Sequence, residues 1–123
     1  MIQPQSIVKI ADNSGAKFGR VFKIPGGSKK RYARIGDLVI LSVQSAQPRK
    51  TVKKKDVLYA VVVRQRYPFR RVDGSYVRFD ENAVVIVDKT KHEPIAGRVF
   101  GPIPRELSEK GFQQIVSLAQ EVV

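Results

Sequence analysis

Apolar positions along this chain fall into short stretches rich in β-branched residues, separated by turn formers. Ile7-Val8-Lys9-Ile10 and Arg20-Val21-Phe22-Lys23-Ile24 come first. Leu38-Val39-Ile40-Leu41-Ser42-Val43 and Val57-Leu58-Tyr59-Ala60-Val61-Val62-Val63 are longer and largely apolar. Tyr76-Val77-Arg78-Phe79 alternates, and Ala83-Val84-Val85-Ile86-Val87 is apolar throughout. Each has the length and composition of a β-strand. Between them lie Asp12-Asn13-Ser14-Gly15, Pro25-Gly26-Gly27, Ile35-Gly36-Asp37, Asp73-Gly74 and Glu81-Asn82, all built from residues that favour turns. No helical spacing intervenes, which predicts a mainly β fold, a small barrel or sandwich rather than a parallel sheet. Closure into a barrel would also remove the exposed edges of so apolar a strand set.

The end of the chain changes character. Pro104 suits the start of a helix, Arg105-Glu106-Leu107-Ser108-Glu109-Lys110 follows, and Gly111 marks the stop. A second short helix is predicted over Phe112 to Ala119, with Phe112, Ile115, Val116 and Ala119 on one face. Helices this short need a surface to pack on. At 123 residues, with no internal repeat or long linker, the chain reads as one domain. The expected division is a barrel over about 1–100 and a helical C-terminal part over about 101–123.

Charge adds a partner to this picture. Lys and Arg number 23 against 11 Asp and Glu, a net charge of +12. Residues 1–80 hold 18 cations and 5 acids, whereas residues 81–123 hold 5 and 6, so one part of the fold should face a polyanion. Three acid-free patches carry 13 of the cations: Lys29-Lys30-Arg31-Tyr32-Ala33-Arg34, Arg49-Lys50-Thr51-Val52-Lys53-Lys54-Lys55, and Arg64-Gln65-Arg66-Tyr67-Pro68-Phe69-Arg70-Arg71. Each sits beside Gly or Pro between apolar segments and reads as a loop or hairpin tip. One such patch is ordinary solvated loop charge; three without neutralising acids repel one another, a cost that a phosphate backbone removes.

Catalysis finds little support. With no cysteine, disulfides, thiolate metal sites and Cys nucleophiles are excluded. His92, the sole histidine, lies in the polar turn Lys89-Thr90-Lys91-His92-Glu93-Pro94, where an exposed loop histidine is the simpler reading. Asp37, Asp80, Glu81 and Asp88 could be imagined as a metal or hydrolytic site, the last three as a metal-dependent nuclease, but Asp80-Glu81-Asn82 has the composition of a turn. Gly26-Gly27-Ser28-Lys29 lacks the spacing of a phosphate-cradling loop, and Ser14 has no nearby histidine to activate it. The chain is expected to be no enzyme, with no cofactor, metal or small-molecule substrate. No apolar run approaches the roughly 20 residues of a membrane-spanning helix, and Met1 to Ile10 resembles neither a signal nor a transit peptide. A mature, processed chain would look the same.

Binding has more material. Tyr32 adjoins Arg31, Tyr67 and Phe69 lie between Arg66 and Arg70, and Tyr76 and Phe79 flank Arg78. Aromatic rings can stack on unpaired bases while cations follow phosphates. Tyr76 and Phe79 also fit as strand residues packing in the barrel, Phe79 better so, and Tyr32 and Tyr67 in basic loops are the better candidates for contact. A membrane surface would need an amphipathic basic helix, and none is predicted. RNA is therefore the expected polyanion. Its contacts would be Lys29, Lys30, Arg31, Tyr32 and Arg34, then Arg49, Lys50, Lys53, Lys54 and Lys55. The third set is Arg64, Arg66, Tyr67, Arg70, Arg71 and Arg78.

One signature is more specific. Ala60-Val61-Val62-Val63, nine residues, Asp73-Gly74, four residues, Phe79, two residues, Asn82, two residues and Val85-Ile86 resembles that of the bacterial-type large-subunit ribosomal protein fourteen family. Asp12-Asn13-Ser14-Gly15-Ala16, Gly26-Gly27-Ser28 with Arg31-Tyr32-Ala33, Gly36-Asp37, Phe100-Gly101-Pro102, Arg105-Glu106-Leu107 and Ile115-Val116-Ser117-Leu118-Ala119 are similar to further family blocks, in order over the whole chain. The resemblance implies a closed five-stranded barrel, a projecting hairpin with the Lys29–Arg34 patch and two short C-terminal helices. It implies a structural constituent of the large ribosomal subunit, bound to large-subunit rRNA and bridging to small-subunit rRNA. Large-subunit proteins nineteen and three and the ribosome silencing factor are the implied protein partners, with Arg98, Arg105, Glu109, Gln113 and Gln114 as the docking residues. The setting would be a bacterial cytoplasm, a mitochondrial matrix or a plastid stroma. The alternative is a free-standing RNA-binding or RNA-chaperone barrel of the oligonucleotide-binding type. The chain departs from common members at Lys17-Phe18-Gly19-Arg20, Phe22, Gly97, Gln114 and Gln120.

Overall fold

In the computed structural model, which describes residues 2–25, 32–48, 52–91 and 93–123, alternation of side chains along the strands sets the inside of the molecule. Strands β1 (Ile7–Ile10), β2 (Ala16–Lys23), β3 (Leu38–Ala46), β4 (Val57–Arg64) and β7 (Ala83–Val87) form a closed barrel in the order β1-β2-β3-β4-β7. Val39, Leu41 and Val43 of β3 are buried at every second position. Cross-strand partners share a face, and the register pairs Val39 with Ala60, Leu41 with Val21 and Val43 with Gly19. On the far side Val62 pairs with Val84 and Ala60 with Ile86. Closure is made by a parallel pairing of β1 with β7, Ile10 opposite Val84.

At Gly19 the interior has no room for a side chain: a Cβ there would lie 2.8 Å from Leu41 Cδ1. This position also explains why β2 begins earlier than the predicted Arg20. Gly19 points inward and Phe18 outward, which inverts the usual apolar pattern, and one register shift precedes Phe18 while another separates it from Gly19.

A second apolar layer lies outside the barrel. Val61, Val63, Ala83, Val85 and Val87 are as buried as the interior residues, although alternation turns them outward. Val99, Ile103, Leu107, Phe112 and Ile115, all C-terminal, belong to the same buried cluster and close that face. They come from β8 (Val99–Ile103), α1 (Glu106–Glu109) and α2 (Gln113–Leu118), and the last strand, β9 (Ala119–Val122), pairs in parallel with β8. Both helices appear where predicted, with Gly111 between them and Leu107 and Ile115 fully buried. Ala119, expected in the second helix, instead opens β9. The C-terminal part is thus helices bracketed by a small sheet, which the Gly101-Pro102 pair conceals in the sequence as a loop signal.

Two further short strands, β5 (Phe69–Arg70) and β6 (Tyr76–Val77), form a hairpin. At its turn the Asp73 Oδ1 accepts from the Ser75 hydroxyl at 2.6 Å and the Ser75 amide at 3.0 Å, and the Gly74 amide donates to the Arg71 carbonyl. Lys29, Lys30 and Arg31 of the expected projecting hairpin, with Arg49, Lys50 and His92, lie outside the described residues.

Candidate nucleic-acid interface

Barrel connectivity decides which basic loops meet. Strands β2 and β3 and strands β3 and β4 run antiparallel, so the β2–β3 and β3–β4 connections emerge at opposite ends. The segment between β4 and β7 returns to the first end, where the Ile35 amide donates to Gln65 Oε1 at 3.1 Å. At the other end the Val52 amide donates to the Ser14 carbonyl and the Gln47 amide to the Gly15 carbonyl. The described parts of the first and third basic patches, 32–34 and 64–71, therefore share one end of the barrel. The second sits at the other, separated by the eight residues of β4, about 23 Å of extended strand.

Individual side chains divide sharply. Tyr32 and Arg34 are exposed, the Arg34 amide held by Asp37 Oδ2 at 2.8 Å. Lys53, Lys54 and Lys55 are exposed on a tight turn in which the Lys53 amide donates to Asp56 Oδ2 at 2.9 Å and the Lys55 amide to the Val43 carbonyl at 2.8 Å. Arg66, Tyr67, Arg70 and Arg78 are also exposed. These groups are free to meet phosphate from rigidly positioned backbone.

Arg64 must be removed from that set. It is the last residue of β4 and only 4% exposed, and its guanidinium crosses to β8. Nη1 donates to the Phe100 carbonyl at 3.0 Å and the Pro102 carbonyl at 3.3 Å, while Nη2 lies 3.3 Å from Glu81 Oε1. Burial lowers its pKa from the ordinary value, and the Glu81 charge raises it in part. Gly101 is required beneath it, since a Cβ there would fall 2.1 Å from Arg64 Nη1, and its φ is +80°. Arg71 is similarly engaged: Nε lies 2.6 Å from Glu106 Oε1, and Nη2 donates to the Val123 carbonyl at 2.7 Å. Both arginines tie the C-terminal segment to the barrel side.

Sequence reasoning missed other residues. Asp12, read only as part of a turn, is a buried hub whose Oδ1 accepts from the Ser14 hydroxyl at 2.6 Å and amide at 3.1 Å, and whose Oδ2 accepts from the Ile86 amide at 2.9 Å. Burial pushes its carboxyl above the ordinary carboxylate value against the pull of those bonds. Lys9, Lys17, Arg20 and Lys23 are exposed on β1 and β2; alternation in β1 already turns Lys9 outward, whereas Lys17 needed the earlier start of β2. Asn82 is structural, its Oδ1 accepting from the Arg66 amide at 2.9 Å. Phe79 is partly buried against the core.

The imagined nuclease carboxylates do not converge. Asp80 and Glu81 precede β7, Asp88 follows it, and Glu81 is held by Lys9 at 3.4 Å and by Arg64. On the C-terminal side Arg98, Arg105, Glu109, Gln113 and Gln114 are all exposed. Gln113 and Gln114 border a recess of about 300 Å³ with Lys91 and Glu93. Arg98 lies on the loop before β8, its amide donating to Asn13 Oδ1. The family model of ribosomal protein L14p/L23e matches residues 1–123. The chain belongs to that family, which places it as a structural, ribosome-located component of the large subunit, in association with ribosomal RNA and ribosomal proteins.

Proposed function

We propose that the protein, as a single domain, binds large-subunit rRNA through the exposed loop cations at both barrel ends and contributes a bridge to small-subunit rRNA. The carrying observation is the set of exposed cations on loops whose backbone is pinned by Asp37, Asp56 and Asn82. Such an arrangement positions phosphates without needing base readout. Lys29, Lys30, Arg31, Arg49 and Lys50 join the set by charge. The ribosome is of bacterial type, in a bacterial cytoplasm, a mitochondrial matrix or a plastid stroma. The 81–123 segment, with 5 cations against 6 acids, is a poor phosphate binder. Its exposed Arg98, Arg105, Glu109, Gln113 and Gln114 form the face for large-subunit proteins nineteen and three and for the ribosome silencing factor.

The absence of cysteine makes the test simple. Hydroxyl-radical probes tethered at Lys54→Cys and Arg66→Cys in assembled subunits should cleave large-subunit rRNA. A probe at Glu109→Cys should cleave protein or nothing in the isolated subunit. Cleavage from Glu109→Cys alone would reverse the assignment of faces. After subunit joining, at least one basic-end probe should cut small-subunit rRNA, and its failure to do so would remove the bridge.

A further inference from the structure

We propose that a groove at the barrel end shared by the first and third patches holds an unpaired RNA segment, its bases inserted between aromatic side chains. This rests on the rRNA-binding reading and narrows it to a single-stranded ligand. The groove has two joined compartments. The larger, about 550 Å³, lies between Arg66-Tyr67-Pro68 and Arg78-Phe79-Asp80. The smaller, about 250 Å³, continues from it past Arg66, Asp80 and Asn82 to Lys9 and Phe18 of the neighbouring strands.

Three features select an unpaired nucleotide. First, aromatic rings stand at both ends: Phe18 is 46% exposed and Tyr67 57% exposed, with Phe79 forming part of the wall. A duplex keeps its bases stacked inside and offers such rings nothing, whereas splayed bases stack on them. Phe18 faces outward because Gly19 occupies the inward position, so the barrel's own packing presents the ring.

Second, the rim is cationic. Arg66 and Arg78 flank the larger compartment and Lys9 the smaller. Glu81 offsets Lys9 at 3.4 Å and Arg64 at 3.3 Å, so the unpaired positive charge of the rim is that of Arg66 and Arg78 at the larger compartment. Third, Asp80 borders both compartments. Its carboxylate repels a phosphate there and accepts from the amino or imino donors of a base edge. Phosphates on the arginines and a base edge on Asp80 describe a single strand entering sideways.

The test uses the intact chain with short RNA oligonucleotides, single-stranded and duplex, the former carrying 2-aminopurine. Expected are preferential single-strand binding and quenching of the probe. Phe18→Ala and Tyr67→Ala should each weaken single-strand binding about 5- to 100-fold. Duplex affinity and the salt slope should stay unchanged. A Lys53→Gln/Lys54→Gln variant serves the parent reading and should weaken both ligands while flattening the slope. If that variant behaves as expected while Phe18→Ala and Tyr67→Ala bind like the unmodified chain, the groove is not a base site and only the inference falls. If none of these variants weakens binding to either RNA, the parent reading falls as well. A photocrosslinking residue at Phe18 should join to rRNA in assembled subunits; joining to a ribosomal protein instead would overturn the inference.

Discussion

Arg64 and Arg66 are two residues apart in the same basic run, and the structure buries the first and exposes the second. Replacing Arg64 with Met keeps a long apolar stem but removes the donors to the Phe100 and Pro102 carbonyls and the partner of Glu81. A hydrogen bond to a charged group is worth about 1.5–3 kcal/mol, and a buried acceptor left unpaired costs about 1–3 kcal/mol. Removing the guanidinium also relieves its own desolvation, which offsets part of that loss. Arg64→Met should therefore cost about 2 kcal/mol, and Arg64→Ala, which also loses the stem's packing, about 4 kcal/mol. Arg66→Ala retains the amide that donates to Asn82 and should change stability by less than about 0.5 kcal/mol. RNA binding should show the reverse pattern. Arg66→Ala removes a proposed phosphate contact and should lower the log–log salt slope by about 0.7–0.9, whereas Arg64→Met should leave it unchanged. Urea unfolding and filter-binding titrations on the same preparations read both quantities. A flattened slope with unaltered stability for Arg64→Met would refute the burial argument.

Four other outcomes follow from particular contacts. Lys55 sits at φ 74°, so Lys55→Gly should hold or raise stability by up to about 1 kcal/mol in thermal unfolding while reducing the salt slope by about 0.7–0.9. Gly19→Ala drives a methyl into Leu41 and should cost about 1–3 kcal/mol, with partial recovery when Leu41→Val is added. Carboxyl NMR should find the Asp12 midpoint above its ordinary value, from burial, and Asp73 below its own, held by the Ser75 hydroxyl and amide. Asp12's contribution to stability is then fullest below the ordinary value and falls as pH rises through its native one, while Asp73's is present above the ordinary value and lost as pH falls through its native one. Finally, calorimetry should show a typical bacterial silencing factor binding more tightly to Gln114→Lys, by no more than about 1 kcal/mol; equal affinities would place the docking face elsewhere.

The strands were legible where burial follows a simple period. β1 and β7 have the bounds expected from composition, and β3 and β4 extend only a little beyond them. Legibility failed where tertiary packing overrides local pattern. Gly19 inside and Phe18 outside disguise the start of β2, and Gly101-Pro102 disguises β8. Arg64 reads as loop charge because its partners are carbonyls 36 and 38 residues away, which no local pattern records. Charge asymmetry pointed to a polyanion, but the separation of the patches onto two barrel ends required the strand order. The groove was invisible for the same reason, since Phe18 and Tyr67 meet it from different strands and loops.

The most direct test of the central claim is sedimentation of the tagged protein through a high-salt sucrose cushion with large ribosomal subunits. A structural component locked by contacts at both barrel ends should pellet with the large subunit in equimolar amount. Release into the supernatant with free RNA, as expected of a loosely bound RNA chaperone, would contradict the account.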